Sequence, residues 1–397
     1  MKSKQLRELN RFLKKLGVTC RKKFIPELYQ SLDIKSADTA YAIEIIQYYK
    51  ELGFGNFTPL LHLFLEQKIH VRSKHFLPDE LRDAVMRVMN GHDRNKYIDK
   101  NMYPLIVKTT RQPKNIVRNV NGSFFDQDNH SLKISDALRL LEENVEHIVK
   151  PSLSSGGSKV GRCFRQNDKI LLNGSAYSFN DFTKIYGFNF TIQEKLKQSS
   201  IVGQIHPESI NTLRLVTLRW NDKIHYLMGF LRAGSGAVVN DNASTGGICV
   251  GLSETGILNS YAVDKTGKVM HVHPTTGFDF QNNIVQMPNF EKFKEFVISL
   301  HMDVLHHHLV SWDIAVGTDQ LPVFIEHNFA GQFWIYQFAT GKPLFGKYSD
   351  EILNHIALHD RYVTLNPTFR IKRIGPLRND ELIKNTKLFL ASLLNKL

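Results

Sequence analysis

The segment SWDIAVGTDQLPVFIEHN, residues 311–328, constrains the fold more than any other stretch of the chain. Two apolar runs flank Gly317, Thr318 and Asp319, the composition of a tight hairpin turn. Side chains alternate along a strand, so Glu326 and Asn328 share one face of the second strand. Asp313, on the first strand, can lie opposite them. Ile314, Val316, Val323 and Ile325 are apolar, which places the acids at the edge of a core. An unpaired carboxylate there is costly. A hard divalent cation such as Mg2+ relieves that cost by taking carboxylate and amide oxygens together. Ion pairing of the acids to Arg or Lys is the competing reading. The hairpin therefore predicts a metal site of Asp313, Glu326 and Asn328.

Two lysines fit the same picture. Lys100 lies in YIDKNMY and Lys150 in HIVKPSLSSGG, each ending or flanking an expected strand from which it can turn toward a phosphate. The Lys150 strand runs into Ser154, Ser155, Gly156 and Gly157. Glycines let backbone N–H groups approach an anion closely, and serines add hydroxyl donors. The GxxxxGK[ST] pattern of a P-loop is absent.

Hydrophobic periodicity predicts helices over 1–17, 38–50 and 78–90, the last with Asp79 as its cap and Glu80 in its first turn. Residues 1–17 carry Lys and Arg opposite an apolar stripe. Such a helix either docks on the rest of the protein, the preferred reading, or lies on a membrane surface. Beyond Gly91 the pattern changes. Strands are expected at 103–108, 147–150, 169–172, 190–196, 210–220 and 223–234. A turn is expected at Asn121-Gly122, and helices at 134–144 (capped near Ser135), 179–185 and 289–308. Two further helices are expected from about residue 350 onward.

Taken together, these motifs resemble the ATP-grasp superfamily, and more closely its sugar-transfer-associated branch. The resemblance rests on their order: DKN at 99–101, IVKPS and SGG at 148–157, IQEKL at 192–196 and SINTLR at 209–214. VVNDNASTGGI at 238–248, HPTTGF at 273–278, SWDIAV at 311–316 and FIEHN at 324–328 continue it. It implies an α+β fold in which two lobes grip ATP, preceded by an N-terminal helical region. The expected divisions are 1–95 for that region, 96–190 for the first lobe with its phosphate loop, 191–350 for the second lobe with the metal site, and 351–397 for terminal helices.

The resemblance also implies roles. Lys100 and Lys150 would contact ATP phosphates, with Ser154, Ser155, Gly156 and Gly157 as the flap over them. Gln193, Glu194, Lys195 and Leu196 would form the hinge, where backbone groups of Glu194 and Leu196 read the adenine edge. Asp313, Glu326 and Asn328 would hold Mg2+. Arg214 and Arg232 would face the transferring phosphoryl group or the substrate carboxylate, and Asp241 and Asn242 would lie at the substrate end. His273 is a weaker candidate for acid–base work there, and His306, His307 and His308 look like a helix end. The activity implied is a carboxylate–amine ligase working through an acyl-phosphate in surface-polysaccharide synthesis. A kinase-like phosphotransferase and a non-catalytic nucleotide binder are the alternatives.

Composition narrows the partners. The net charge of +13 draws polyanions: nucleic acid, anionic lipid or phosphorylated substrates. No helix-turn-helix, zinc-finger or RNP pattern is present, which argues against nucleic acid. Peripheral contact with an anionic membrane stays open. The three cysteines, Cys20, Cys163 and Cys249, are odd in number and widely spaced, as expected for reduced thiols in the cytoplasm. The charged N-terminus lacks the apolar core of a secretory signal.

Overall fold

The computed structural model describes residues 3–18, 29, 31–54, 57–91, 97–153, 159–236 and 246–365. The chain opens with helices α1 (Ser3–Lys15), α2 (Thr39–Glu51), α3 (Leu60–Ile69) and α4 (Arg82–Asn90). In α1, Leu9 and Leu13 recur one turn apart and are buried, while Arg7, Arg11, Lys14 and Lys15 stay exposed. The helix therefore docks through its apolar stripe. Asp38 caps α2 by accepting the Tyr41 N–H at 3.1 Å. Asp79 caps nothing: it sits in a 3-10 turn, Asp79–Leu81, that precedes α4.

Residues 103–108, expected as a strand, instead form the one-turn helix α5 (Tyr103–Ile106). Pro104 explains the difference, since its fixed φ suits the first helical turn and it has no N–H for a ladder. Lys100 accordingly lies on a 3-10 turn, Lys100–Met102, rather than beside a strand.

The first sheet is built from β1 (Asn115–Val120), β2 (Ser123–Phe125), β3 (Ser131–Leu132), β4 (Glu146–Pro151), β5 (Gly161–Gln166), β6 (Lys169–Leu172), β7 (Ser175–Ser178) and β8 (Asn189–Glu194). Its order is β3-β2-β1-β8-β4-β5-β6-β7, and every neighbour is antiparallel. Two helices, α6 (Ile134–Arg139) and α7 (Phe179–Tyr186), cover one face over Val117, Val149, Cys163, Ile170 and Ile192. The first of them stops five residues before its expected end, and Lys133, not Ser135, is its N-cap. Glu143 bridges to Arg165, so pairing with β5 takes the chain out of the helix.

The second sheet follows α8 (Ser200–Gly203). It comprises β9 (Thr212–Trp220), β10 (Lys223–Ala233), β11 (Ile248–Leu252), β12 (Leu258–Val263), β13 (Val269–Met270), β14 (Leu309–Val316) and β15 (Pro322–Asn328). The order β13-β12-β11-β10-β9-β14-β15 is again antiparallel throughout. Helix α9 (Phe290–Met302) packs Phe293, Val297 and Leu300 on the face that carries Leu213, Leu215, Trp312 and Ile314. This helix ends six residues earlier than the sequence suggested, so His306, His307 and His308 lie beyond it. His307 stacks on Phe329 and holds the Asn90 carbonyl through Nδ1.

The opposite face of the second sheet has two halves. Val216, Leu218, Met228 and Phe230 lie under α10 (Phe333–Thr340), α11 (Ser349–Leu365) and the N-terminal helices, in one core with Leu13, Ile45, Phe64 and Val85. Gly251 of β11 lets α10 approach, since a Cβ there would collide with the Ala339 carbonyl. Further along the same strands, the face opens toward the first sheet. Strand alternation thus directs one set of side chains into the core at one end and into a cleft at the other. No helix among the described residues is long and apolar enough to cross a membrane.

Candidate functional site

Between the sheets lies a cleft of about 790 Å3. The first sheet contributes Ile148, Lys150, Arg162 and Gln193, all on the face opposite α6 and α7. Lys150 pairs in register with Thr191, and Ile148 with Gln193. Lys100 reaches the same space from its 3-10 turn, which is tied to the sheet by the Lys100 N–H on the Ser152 carbonyl at 3.0 Å. The second sheet contributes Thr212, Arg214, Phe230, Arg232, Cys249, Asp313, Glu326 and Asn328.

The register places the acids as the alternation predicts. Asp313 stands opposite Glu326, and Ser311 opposite Asn328. A bulge follows, since Ile314 pairs with Phe324 and leaves Ile325 as the extra residue. That one residue lets Phe324 and His327 both face the apolar core while Glu326 and Asn328 face the cleft. On the other side Asp313 stands opposite Arg214.

Asp313 is buried and fully engaged. Arg214 Nε donates to Oδ1 at 2.7 Å and Nη2 to Oδ2 at 2.6 Å, while Arg232 Nη1 reaches Oδ2 at 2.8 Å. Burial alone would raise the Asp313 pKa; the two guanidiniums outweigh it and hold the carboxyl below its ordinary range. Burial likewise opposes the Arg214 charge, and Asp313 more than offsets it. The ion-paired reading of the hairpin is therefore realised at Asp313.

Glu326 is differently placed. Its Oε2 lies 3.5 Å from Lys100 Nζ, and a quarter of its side chain is exposed. The Asn328 amide sits 3.3 Å from both Asp313 Oδ2 and Glu326 Oε1. Two carboxylates and one amide thus converge at the cleft wall, an all-oxygen set once the amide turns its carbonyl inward. Such a set fits Mg2+. Lys150 is half-buried in the cleft wall, and the desolvation lowers its pKa to about 8; Glu326 opposes that shift and Lys100 adds to it.

At the end of β8, Gln193 Nε2 and Thr191 Oγ1 both donate to Asn115 Oδ1, each at 2.7 Å. That fixes the Gln193 amide and leaves Oε1 buried without a partner among the described residues. A buried orphan acceptor is costly, and a donor from a bound base would satisfy it. The Glu194 N–H donates to the Lys114 carbonyl at 3.1 Å, Lys195 pairs with Glu146, and Leu196 lines the cleft.

Ser154, Ser155, Gly156, Gly157, Asp241 and Asn242 lie outside the described residues. His273 has no spare nitrogen: Nδ1 accepts the N–H groups of Thr275 and Thr276, and Nε2 donates to the Gly234 carbonyl at 2.9 Å. It ties a loop together. Sequence reasoning missed Gln332 and Tyr336, which also line the cleft. Tyr336, whose hydroxyl donates to Ser311 Oγ at 3.1 Å, comes from a helix that periodicity did not reveal.

Two antiparallel sheets closing on a cleft, with lysines on one wall and an acid–arginine cluster on the other, define an ATP-grasp fold. The sequence model of the family described as sugar-transfer associated ATP-grasp matches residues 99–354, and the chain belongs to that family. No curated protein matches significantly. Solved structures that it resembles include an L-amino acid ligase from Bacillus licheniformis (11% identity, 66% of this chain and 47% of that one, TM-score 0.36). The ATP-grasp ligase PsnB with its precursor peptide and AMPPNP is another (11%, 68% and 62%, 0.38), as is D-alanine–D-alanine ligase from Bacillus anthracis (10%, 70% and 72%, 0.37). The chain spans about half to three-fifths of the length of the first two.

Proposed function

We propose that the chain is an ATP-dependent carboxylate–amine ligase acting through an acyl-phosphate. The observation that carries this reading is the convergence of Lys100 from its 3-10 turn and Lys150 from the first sheet with Asp313, Glu326 and Asn328 from the second. Phosphoryl transfer needs positioned charge around the phosphate oxygens more than it needs a protein nucleophile.

In this reading Lys100 and Lys150 bind phosphate oxygens, and the orphaned Gln193 Oε1 together with the hinge backbone receives the adenine. Asp313, Glu326 and Asn328 hold Mg2+, which when bound neutralises charge on the phosphates. Ser154, Ser155, Gly156 and Gly157 cover them, while Asp241 and Asn242 serve the substrate end. Arg214 and Arg232 orient the carboxylate and the transferring phosphoryl group; planar guanidiniums suit both. A carboxylate oxygen attacks the γ-phosphorus, the bond to the bridging oxygen breaks, and ADP leaves with its electrons. The amine nitrogen then attacks the acyl carbon, phosphate departs, and the amine gives up a proton.

The substrate in this reading is a carboxylated sugar or its amino-acid substituent, within surface-polysaccharide synthesis; the family's description as sugar-transfer associated supports the sugar. A cytoplasmic setting follows from the need for ATP. The exposed cations of α1 suit peripheral contact with an anionic membrane, by charge rather than insertion, because its apolar stripe is already docked.

Incubation with Mg-ATP, a panel of carboxylates and hydroxylamine tests the reaction class. A ligase releases ADP and forms a hydroxamate. Label from the γ-phosphate on a stable product would mean a phosphotransferase instead, and neither outcome would mean a binder.

A further inference from the structure

Helix α4 lies outside the family-matched span, yet it reaches the site. At its first residue, Arg82 Nε donates to the Gly331 carbonyl at 2.7 Å and Nη2 to the Ala330 carbonyl at 3.2 Å. At its last, buried Asn90 Nδ2 donates to the Phe329 carbonyl at 2.9 Å and to the Leu309 carbonyl at 2.8 Å. Asn90 Oδ1 accepts the N–H groups of His308 and Leu309 at 3.1 and 3.0 Å. Three consecutive carbonyls, beginning one residue after Asn328, are thus all held from one helix.

The consequence follows from peptide geometry. In a trans peptide the N–H points opposite the C=O. With the carbonyls of 329, 330 and 331 turned toward α4, the N–H groups of Ala330, Gly331 and Gln332 turn away from it. These three residues line the cleft, and their N–H groups have no hydrogen-bond partner among the described residues. Position 331 has no room for more than hydrogen, since a Cβ would lie 2.5 Å from the Tyr336 hydroxyl.

We propose that Arg82 and Asn90 are positioning residues for the acceptor end of the cleft, holding 329–331 so that a row of backbone donors meets a carboxylate. The N-terminal helices then belong to the catalytic unit instead of preceding it. The inference rests on the ligase reading for the identity of the anion.

The test uses the full-length chain as wild type, Arg82→Ala and Arg82→Lys. The chemical shift of the Gly331 amide in glycine-labelled protein reads the clamp, calorimetry with Mg-AMPPNP reads the nucleotide site, and the same amide is titrated with acetate in the presence of Mg-AMPPNP. Arg82→Ala should shift the Gly331 amide resonance and weaken the acetate response by about tenfold or more, with nucleotide affinity within about twofold, since small displacements of positioning groups cost this much. The lysine variant should recover part of both. An unchanged Gly331 amide resonance, an acetate response equal to wild type, or no acetate response in wild type would overturn the proposal. Parallel loss of nucleotide affinity and thermal midpoint would do the same by showing a merely structural role. Failure of the wild type to bind Mg-AMPPNP would instead remove the ligase reading, and the positioning role with it.

Discussion

Arg214 grips Asp313 through both edges at once, Nε on Oδ1 at 2.7 Å and Nη2 on Oδ2 at 2.6 Å, with the carboxylate buried and the guanidinium partly so. The geometry is a fork on a carboxylate, the strongest form of this pair. With Arg232 on Oδ2 as well, Asp313 serves a cation only in company with two guanidiniums. The aspartate therefore links Glu326 and Asn328 to the arginine side of the cleft.

This arrangement separates two substitutions that the sequence alone treats alike. Glu326→Gln should abolish ADP release while leaving thermal stability near wild type, because Glu326 is partly solvated and its pairing with Lys100 is loose. Asp313→Asn should abolish ADP release and also destabilise, by about 3–5 kcal/mol, because buried Arg232 and part-buried Arg214 lose their counter-charge. Thermal denaturation alongside an ADP-release assay distinguishes them. Full activity in both variants would refute the metal assignment.

Lys150 sets a pH dependence for nucleotide binding. Burial lowers its pKa to about 8, so it is charged below that value and neutral above it. Affinity of the full-length protein for Mg-AMPPNP should fall as pH rises from 7 to 9, and Lys150→Met should bind weakly with a flatter profile. For stability the sign is opposite. The unfolded chain keeps its lysine proton to higher pH than the folded one, so stability gains as pH rises through 8 toward the ordinary lysine range. Calorimetric titrations and denaturation curves across that range check both directions.

Glu80 offers a second test, away from the cleft. Its carboxylate accepts the Thr58 N–H at 3.0 Å and hydroxyl at 2.6 Å, yet burial raises its pKa to about 7. The folded state holds a proton that the unfolded state has lost, so this contribution is complete below the ordinary glutamate range and disappears as pH rises through 7. Glu80→Gln keeps an acceptor without the charge. It should stabilise by about 1–3 kcal/mol at pH 8 and by almost nothing at pH 4.5, measured by denaturant titration at each pH.

The hairpin, both long strands β9 and β10, and the Lys150 strand were legible because period-two patterning and a glycine turn act locally. The cleft residues at 311–328 followed from parity. What was not legible depends on tertiary contact. The 103–108 run is apolar enough for a strand, but Pro104 and the absence of a partner make it helical. The helices at 134–144 and 289–308 end early because their following residues pair or pack elsewhere. The engagement of Arg214 and Arg232 on Asp313 needs three strands in register, and nothing local in the sequence announces which acid an arginine will choose.

Docking of α1 makes its own forecast. Leu13 is 1% exposed and joins the core beneath α10. Leu13→Ala should cost about 2–5 kcal/mol in denaturant unfolding. If charge alone takes the helix to a membrane, the same variant should leave binding to anionic vesicles unchanged, and raised salt should abolish it. Vesicle co-sedimentation with and without salt checks this.

The most direct measurement is calorimetric titration of the full-length protein with Mg-AMPPNP, repeated for Lys150→Met and Glu326→Gln. The account predicts saturable binding in wild type at micromolar to sub-millimolar concentration, weakened by about tenfold or more in each variant, about 1.4 kcal/mol apiece. Absence of binding at millimolar nucleotide, or equal affinity in all three proteins, would contradict a single nucleotide site built from both sheets.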